Sequence, residues 1–161
     1  MAFSLTITTN QLDKPILQSL TSTGVATAVH PTGYTVKSDD GREFMYACND
    51  SSSVAAVAGA PAGLANTSSD TAYVVTPDVS DGGSVAVGAF LSVLADTYFG
   101  WIQTKGILVD APASGNQTEL VAGDPLYCID ANWKYGVVGT NHIKAVANYA
   151  SASGIGNITL L

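Results

Sequence analysis

The chain has 161 residues, of which 47% are hydrophobic and only 12% are charged, about half the ~25% that soluble globular domains carry. That length fits one domain with its own core, and so few charges leave the surface to small polar residues or to other subunits. Thirteen acidic against six basic residues give a net charge of −7 without a basic cluster, which argues against direct nucleic-acid binding because neutralising phosphates requires Lys and Arg.

Residues 1–23 differ in pattern from the rest of the chain. Apolar residues first alternate with Ser and Thr, which predicts a short half-buried strand, and then recur at a spacing of four around Pro15. The segment is either the first strand of the core or an extended N-terminal arm that lies on a neighbouring subunit. Because its apolar side chains have no obvious partner in so short a segment, we expect intersubunit contacts from Phe3, Leu5, Ile7, Leu12 and Ile16.

Residues 24–161 are predicted to form a single β-rich domain. Its clearest hairpin joins a strand at 35–37 to a returning strand at 42–48. The connection contains an Asp-Gly pair at 40–41, a strong hairpin signal.

Residues 49–70 are small and weakly patterned, and we predict that they are mostly a surface loop able to touch a partner. The Val/Ala piece at 54–60 fits a helical turn or a short strand equally well. A short strand is expected at 73–76, and the apolar run at 85–95 leads into the strand that follows.

The densest run of aromatic and β-branched residues, at 98–109, predicts the central strand of the fold. Glycines at 100 and 106 mark places where a strand bulges or lets another backbone approach. Both faces are largely apolar, so the strand belongs inside a barrel, a sandwich or a subunit interface of a mostly antiparallel all-β fold. The core residues that we predict are Phe44, Tyr46, Phe99, Trp101, Ile102 and Tyr127.

The last third of the chain predicts further strands. Strands at 126–129 and 135–138 bracket a five-residue connection suited to a hairpin, and this connection contains Trp133. Apolar residues at 157–161 predict a final strand docked on the core.

Motifs of catalysis and cofactor binding are absent from the sequence. It contains no GxSxG, GxxxxGK[ST], GxGxxG or HExxH pattern, and His30 and His142 are expected to be surface turn residues. Cys48 and Cys128 lack metal-ligand spacing and are interpreted as buried free thiols, with a disulfide or a reactive thiol as alternatives. We expect no enzyme activity, no cofactor and no metal; the remaining enzymatic alternative is a small hydrolase that uses the two histidines and scattered Asp residues. No apolar run approaches about 18 residues and no signal-peptide pattern is present, so neither membrane insertion nor signal-directed export is expected.

Three patches, at 41–47, 99–106 and 122–161, resemble the small β-rich head structural proteins of tailed bacteriophages, a group that includes the capsid decoration, or cement, proteins. The resemblance implies a β-barrel or β-tulip-like domain that sits on the outer capsid surface and ties major capsid subunits together, commonly as trimers or dimers.

On this resemblance we expect a non-enzymatic decoration protein, made in the host cytoplasm and located on the outer capsid surface of the virion. Its partners would be the major capsid protein and further copies of itself, a homotrimer being favoured over a dimer, and the arm would contact either of them. The alternative is a tail, fibre or spike component that binds host glycans.

Overall fold

The computed structural model describes residues 7–8, 20, 23–50, 56–65, 73–78, 86–112, 122–123, 125–129, 132–135, 145–147 and 155–161. Within these ranges the chain is all-β, as predicted, and contains no helix that could span a membrane. In chain order the strands are β1 Ile7–Thr8, β2 Thr35–Ser38, β3 Glu43–Asn49, β4 Pro61–Leu64, β5 Val74–Thr76, β6 Ala86–Phe90, β7 Phe99–Pro112, β8 Pro125–Ile129, β9 Asn132–Tyr135, β10 Ala145–Ala147 and β11 Ile155–Leu160.

Five of the strands close into a small β-barrel. Around the ring, β3 pairs with β5, β5 with β4, β4 with β6, β6 with β7, and β7 returns to β3. The barrel is mixed rather than purely antiparallel, because β3 and β5 run parallel with Cys48 opposite Val74. A parallel pair requires a crossover connection, and here the crossover contains β4. Closure of the ring leaves its strands without free edges.

Small side chains fill much of the barrel interior. The expectation of a surface loop across 49–70 is wrong for its middle part, because residues 61–64 form β4 and Ala62 is fully buried. A ring of only five strands encloses little volume, so a segment of small residues fits where larger ones would not. The buried residues of this cluster are Met45, Ala47, Ala56, Ala60, Ala62, Val75, Phe90, Leu94 and Ile102.

Strand β7 is central to the fold, as the sequence predicts. Its first half lies between β3 and β6, and its second half pairs with β11. Ile102 belongs to the interior cluster, whereas Trp101 lies on the outer face of β3 and β7. At Gly100 another side chain approaches the backbone closely, since a Cβ atom there would overlap the buried Leu94 side chain unless that side chain shifted. Gly106 has a φ of +92°, which glycine adopts without a steric penalty.

The second half of β7 starts a further run of strands in the order β7-β11-β10-β8-β9. The predicted C-terminal strand is confirmed as β11, which pairs antiparallel with β7. Strands β8 and β9 form the expected hairpin with a shorter connection, because Ile129 pairs with Asn132 and so Trp133 lies on β9. The buried residues that pack this part against β6 are Ala86, Ala89, Leu108, Leu126, Ala145, Ala147, Ile158 and Leu160.

The predicted β2–β3 hairpin is confirmed. The two strands pair antiparallel, with Val36 opposite Phe44, and Gly41 in the turn has a φ of +86°. This pairing places β2 outside the barrel, next to β3.

Candidate assembly surface

The candidate functional surface consists of β1, β2 and the aromatic cluster beneath them, and we call it the β2 face. One edge of β2 pairs with β3, and the other carries β1 at two positions, Ile7 opposite Ser38 and Thr8 opposite Lys37. Among the described residues, no strand pairs with Thr35 and Val36 on that second edge. A segment from the start of the chain therefore adds a short strand to this edge of the sheet.

The predicted interface residues of the arm are only partly within the described structure. Ile7 lies on β1 and pairs with its own chain, and its contact with a neighbouring subunit stays a prediction. Leu20, which we did not select from the sequence, is buried in the same cluster as Val36. Leu20 continues the spacing of four that Leu12 and Ile16 begin, and this spacing is the sequence signal that could have identified it. Outside the described residues lie Phe3, Leu5, Leu12 and Ile16.

An aromatic cluster packs against the buried face of β2. The Trp101 ring centroid lies 5.2 Å from that of Tyr46 and 5.4 Å from that of His30, and His30 stacks on Tyr34 at 5.2 Å. Phe44, Leu20 and Val36 also belong to the buried part of the cluster. Such edge-on and stacked rings favour a fixed arrangement, so the sheet edge rests on a rigid base.

The prediction of His30 as a surface turn residue is wrong, because only 6% of the residue is exposed. The turn that follows it folds back onto β3: Gly33 N donates to Tyr46 O at 2.7 Å, and Tyr46 N donates to Tyr34 O at 2.8 Å. These bonds hold the imidazole against the Trp101 ring. The sequence shows only that His30 precedes a proline, and this does not indicate burial. The burial depends on contacts with strands far along the chain.

Burial of the large rings limits what this face can bind. Trp101 is 1% exposed and Tyr46 is fully buried, so neither presents an open ring face on which a sugar could stack. Val29 N donates to the Tyr46 hydroxyl at 3.4 Å, and burial raises the pKa of that hydroxyl. Of the other predicted core residues, Phe44 and Ile102 are buried and Phe99 is half-buried. Tyr127 lies on β8, with its side chain outside the described part.

The charges beside β2 are paired with one another. Asp40 accepts hydrogen bonds from Arg42 Nε at 2.7 Å and from Ser38 Oγ at 2.5 Å, and these bonds, chiefly the one from Arg42, lower the pKa of Asp40 to about 2. Lys37 Nζ lies 2.9 Å from Glu43 Oε1, which lowers the pKa of Glu43. The Arg42 guanidinium also lies 5.7 Å from the centre of the Phe44 ring. These pairs stabilise the hairpin locally.

The described residues bring together no group of three or more metal-ligating side chains. Cys48 is a half-buried free thiol, and burial raises the pKa of that thiol, which disfavours the reactive thiolate. His142 and the Cys128 side chain lie outside the described residues. What the described β2 face offers is backbone hydrogen bonding along an edge and apolar packing below it.

No protein-family model matches the chain, and no curated protein is similar to it in sequence.

Proposed function

We propose that the chain is a non-enzymatic structural protein of a tailed-phage virion, which decorates the outer surface of the head and stabilises the lattice of the major capsid protein. The observation that carries the proposal is the β2 edge, to which β1 adds a strand at Ile7 and Thr8. Strand addition binds an extended segment through main-chain hydrogen bonds and suits assembly better than chemistry.

The separation between β1 and its anchor supports exchange of the arm between subunits. The 12 positions from Thr8 to Leu20 span at most about 40 Å when extended. If Leu20 stays in its own aromatic cluster, that reach lets β1 pair with the β2 edge of a neighbouring copy or with an edge of the capsid protein. Exchange of an identical element between protomers is a low-cost route to oligomers. We favour a homotrimer over a dimer.

The composition supports a lattice protein as well. With 12% charged residues, the surface carries few strong electrostatic contacts. A lattice multiplies weak contacts into high avidity, so no single strong binding site is required.

Sedimentation velocity of the purified protein, alone and with expanded empty heads of its phage, tests the proposal. We expect a discrete trimer that co-sediments with heads at a fixed copy number. A monomer that ignores the heads would refute the decoration role and favour the glycan-binding alternative, which a glycan array would then examine.

The role of the arm is tested with two variants of different length. Deletion of residues 1–9 removes β1 and keeps Leu20, whereas Ile7→Pro with Thr8→Pro keeps the length but removes two backbone donors. Both should bind heads more weakly than the wild type if strand addition carries the contact. Unchanged affinity of both variants would show that the arm is not the contact.

A further inference from the structure

A second surface lies on the loop that joins β6 to β7, residues 91–98, which we call the 91–98 loop. Two of its apolar side chains are exposed, Val93 by 54% and Tyr98 by 37%. Val57, 40% exposed, lies opposite Val93 because the antiparallel bridge between Ala56 and Leu94 sets the register. Directly opposite side chains are close enough to form one apolar patch.

One buried residue, Asn49, holds this loop. Its backbone N donates to Tyr98 O at 2.9 Å, and its carbonyl accepts from Thr97 N at 2.8 Å. Its Nδ2 donates to Leu94 O at 2.9 Å and to Ala95 O at 3.2 Å. The loop therefore has a fixed conformation in the free protein, and a partner would not need to order it.

The same loop contains a strained residue. Thr97 has a φ of +64°, and among the described residues no other non-glycine residue has a positive φ. This conformation costs free energy for a β-branched residue, so the surrounding hydrogen bonds must hold the backbone of Thr97 in place. Residues held in this way cluster at sites of recognition, where the loop geometry is kept despite its cost.

The charge around the patch is acidic. Asp50 and Asp96 are exposed. Asp50 directly follows Asn49, and Asp96 directly precedes Thr97, whose N donates to Asn49 O at 2.8 Å, so both residues lie at this end of β3. The described cationic side chains lie at the other end of β3, where Lys105 pairs in register with Glu43. Six residue steps of β3 separate Glu43 from Asn49, about 20 Å. That distance exceeds the screening length at physiological ionic strength, so the charges at the two ends of β3 act separately.

We propose that the 91–98 loop, together with Val57, docks a protein segment that combines apolar side chains with Lys or Arg. The inference rests on the proposed function, under which this segment belongs to the major capsid protein on the head surface. Docking of a second copy through the same surface is disfavoured, because a two-fold contact would bring Asp50 and Asp96 against their own equivalents.

Co-sedimentation with expanded heads tests the proposal with two patch variants and a matched control. The variant Val93→Ser with Tyr98→Ser removes the apolar contacts, and Asp50→Asn with Asp96→Asn removes the charges. Ile107→Ser is the control, because Ile107 is 57% exposed on the part of β7 beyond the barrel. Thermal unfolding of each variant checks that the fold is retained.

We expect the apolar double variant to bind heads about 10-fold more weakly or worse, since exposed aromatic anchors commonly dominate binding. The charge variant should lose affinity at low salt and show less dependence on ionic strength than the wild type. Ile107→Ser should bind like the wild type.

Three other outcomes would overturn the inference, and they distinguish failure of this docking surface from failure of the proposed decoration role. If the wild type and both patch variants bind equally, the docking surface is elsewhere and the decoration role stands. If only Ile107→Ser loses binding, the docking surface is on the sheet formed by β7 and β11. If the wild type ignores heads, the decoration role fails and the inferred partner fails with it.

Discussion

Replacement of Trp101 by Ala tests whether the aromatic cluster is the structural base of the β2 face. The side chain is 1% exposed, and its ring lies within 6.1 Å of the rings of His30, Tyr34 and Tyr46. Removing a buried Trp side chain leaves a cavity and costs about 3–5 kcal/mol of unfolding free energy. For a chain of this length that loss corresponds to a fall of roughly 6–20 °C in the thermal midpoint.

Differential scanning calorimetry or urea unfolding followed by circular dichroism measures the effect. Trp101→Phe should cost less, because a ring still fills part of the site, and Ile107→Ala on the same strand should change stability by less than about 0.5 kcal/mol. Full stability of Trp101→Ala would mean that the ring is not buried in solution, and it would restore a sugar-stacking role for Trp101.

Two further predictions concern a charge and a strained residue. Because the pKa of Asp40 is lowered from 3.8 to about 2 in the folded state, its contribution to stability is present above about pH 4 and is lost as the pH falls towards 2. The side chain is 49% exposed, so solvent screening keeps that contribution below about 1 kcal/mol, and the difference in urea midpoint between the wild type and Asp40→Asn should shrink from pH 6 to pH 2. A difference that is constant over this range would contradict the assignment. Thr97→Gly should raise the unfolding free energy by about 0.5–1 kcal/mol by relieving the positive φ, whereas Thr35→Gly in β2 should lower it by a similar amount. Equal losses in both variants would show that Thr97 is unstrained.

Local patterns predicted the parts of the fold that local chemistry decides. The aromatic and β-branched run became β7, the Asp-Gly pair became the turn between β2 and β3, and the apolar C-terminal residues became β11. Alternation of side chains reports that a strand face is buried. It does not report which element covers that face.

Long-range pairing decided the rest. The parallel contact of β3 with β5 closes the barrel, and only that closure explains why the small residues around β4 are buried rather than on a surface loop. His30 is buried by rings that lie up to 71 positions away in the sequence, at Trp101. The hold of Asn49 on the 91–98 loop likewise joins residues more than 40 positions apart. Contacts at such separations leave no periodic trace in a single sequence, because each depends on where the whole chain has been brought by folding. Composition and alternation thus determined the fold class and the central strand, whereas the tertiary structure alone decided the barrel closure, the burial of His30 and the conformation of the 91–98 loop.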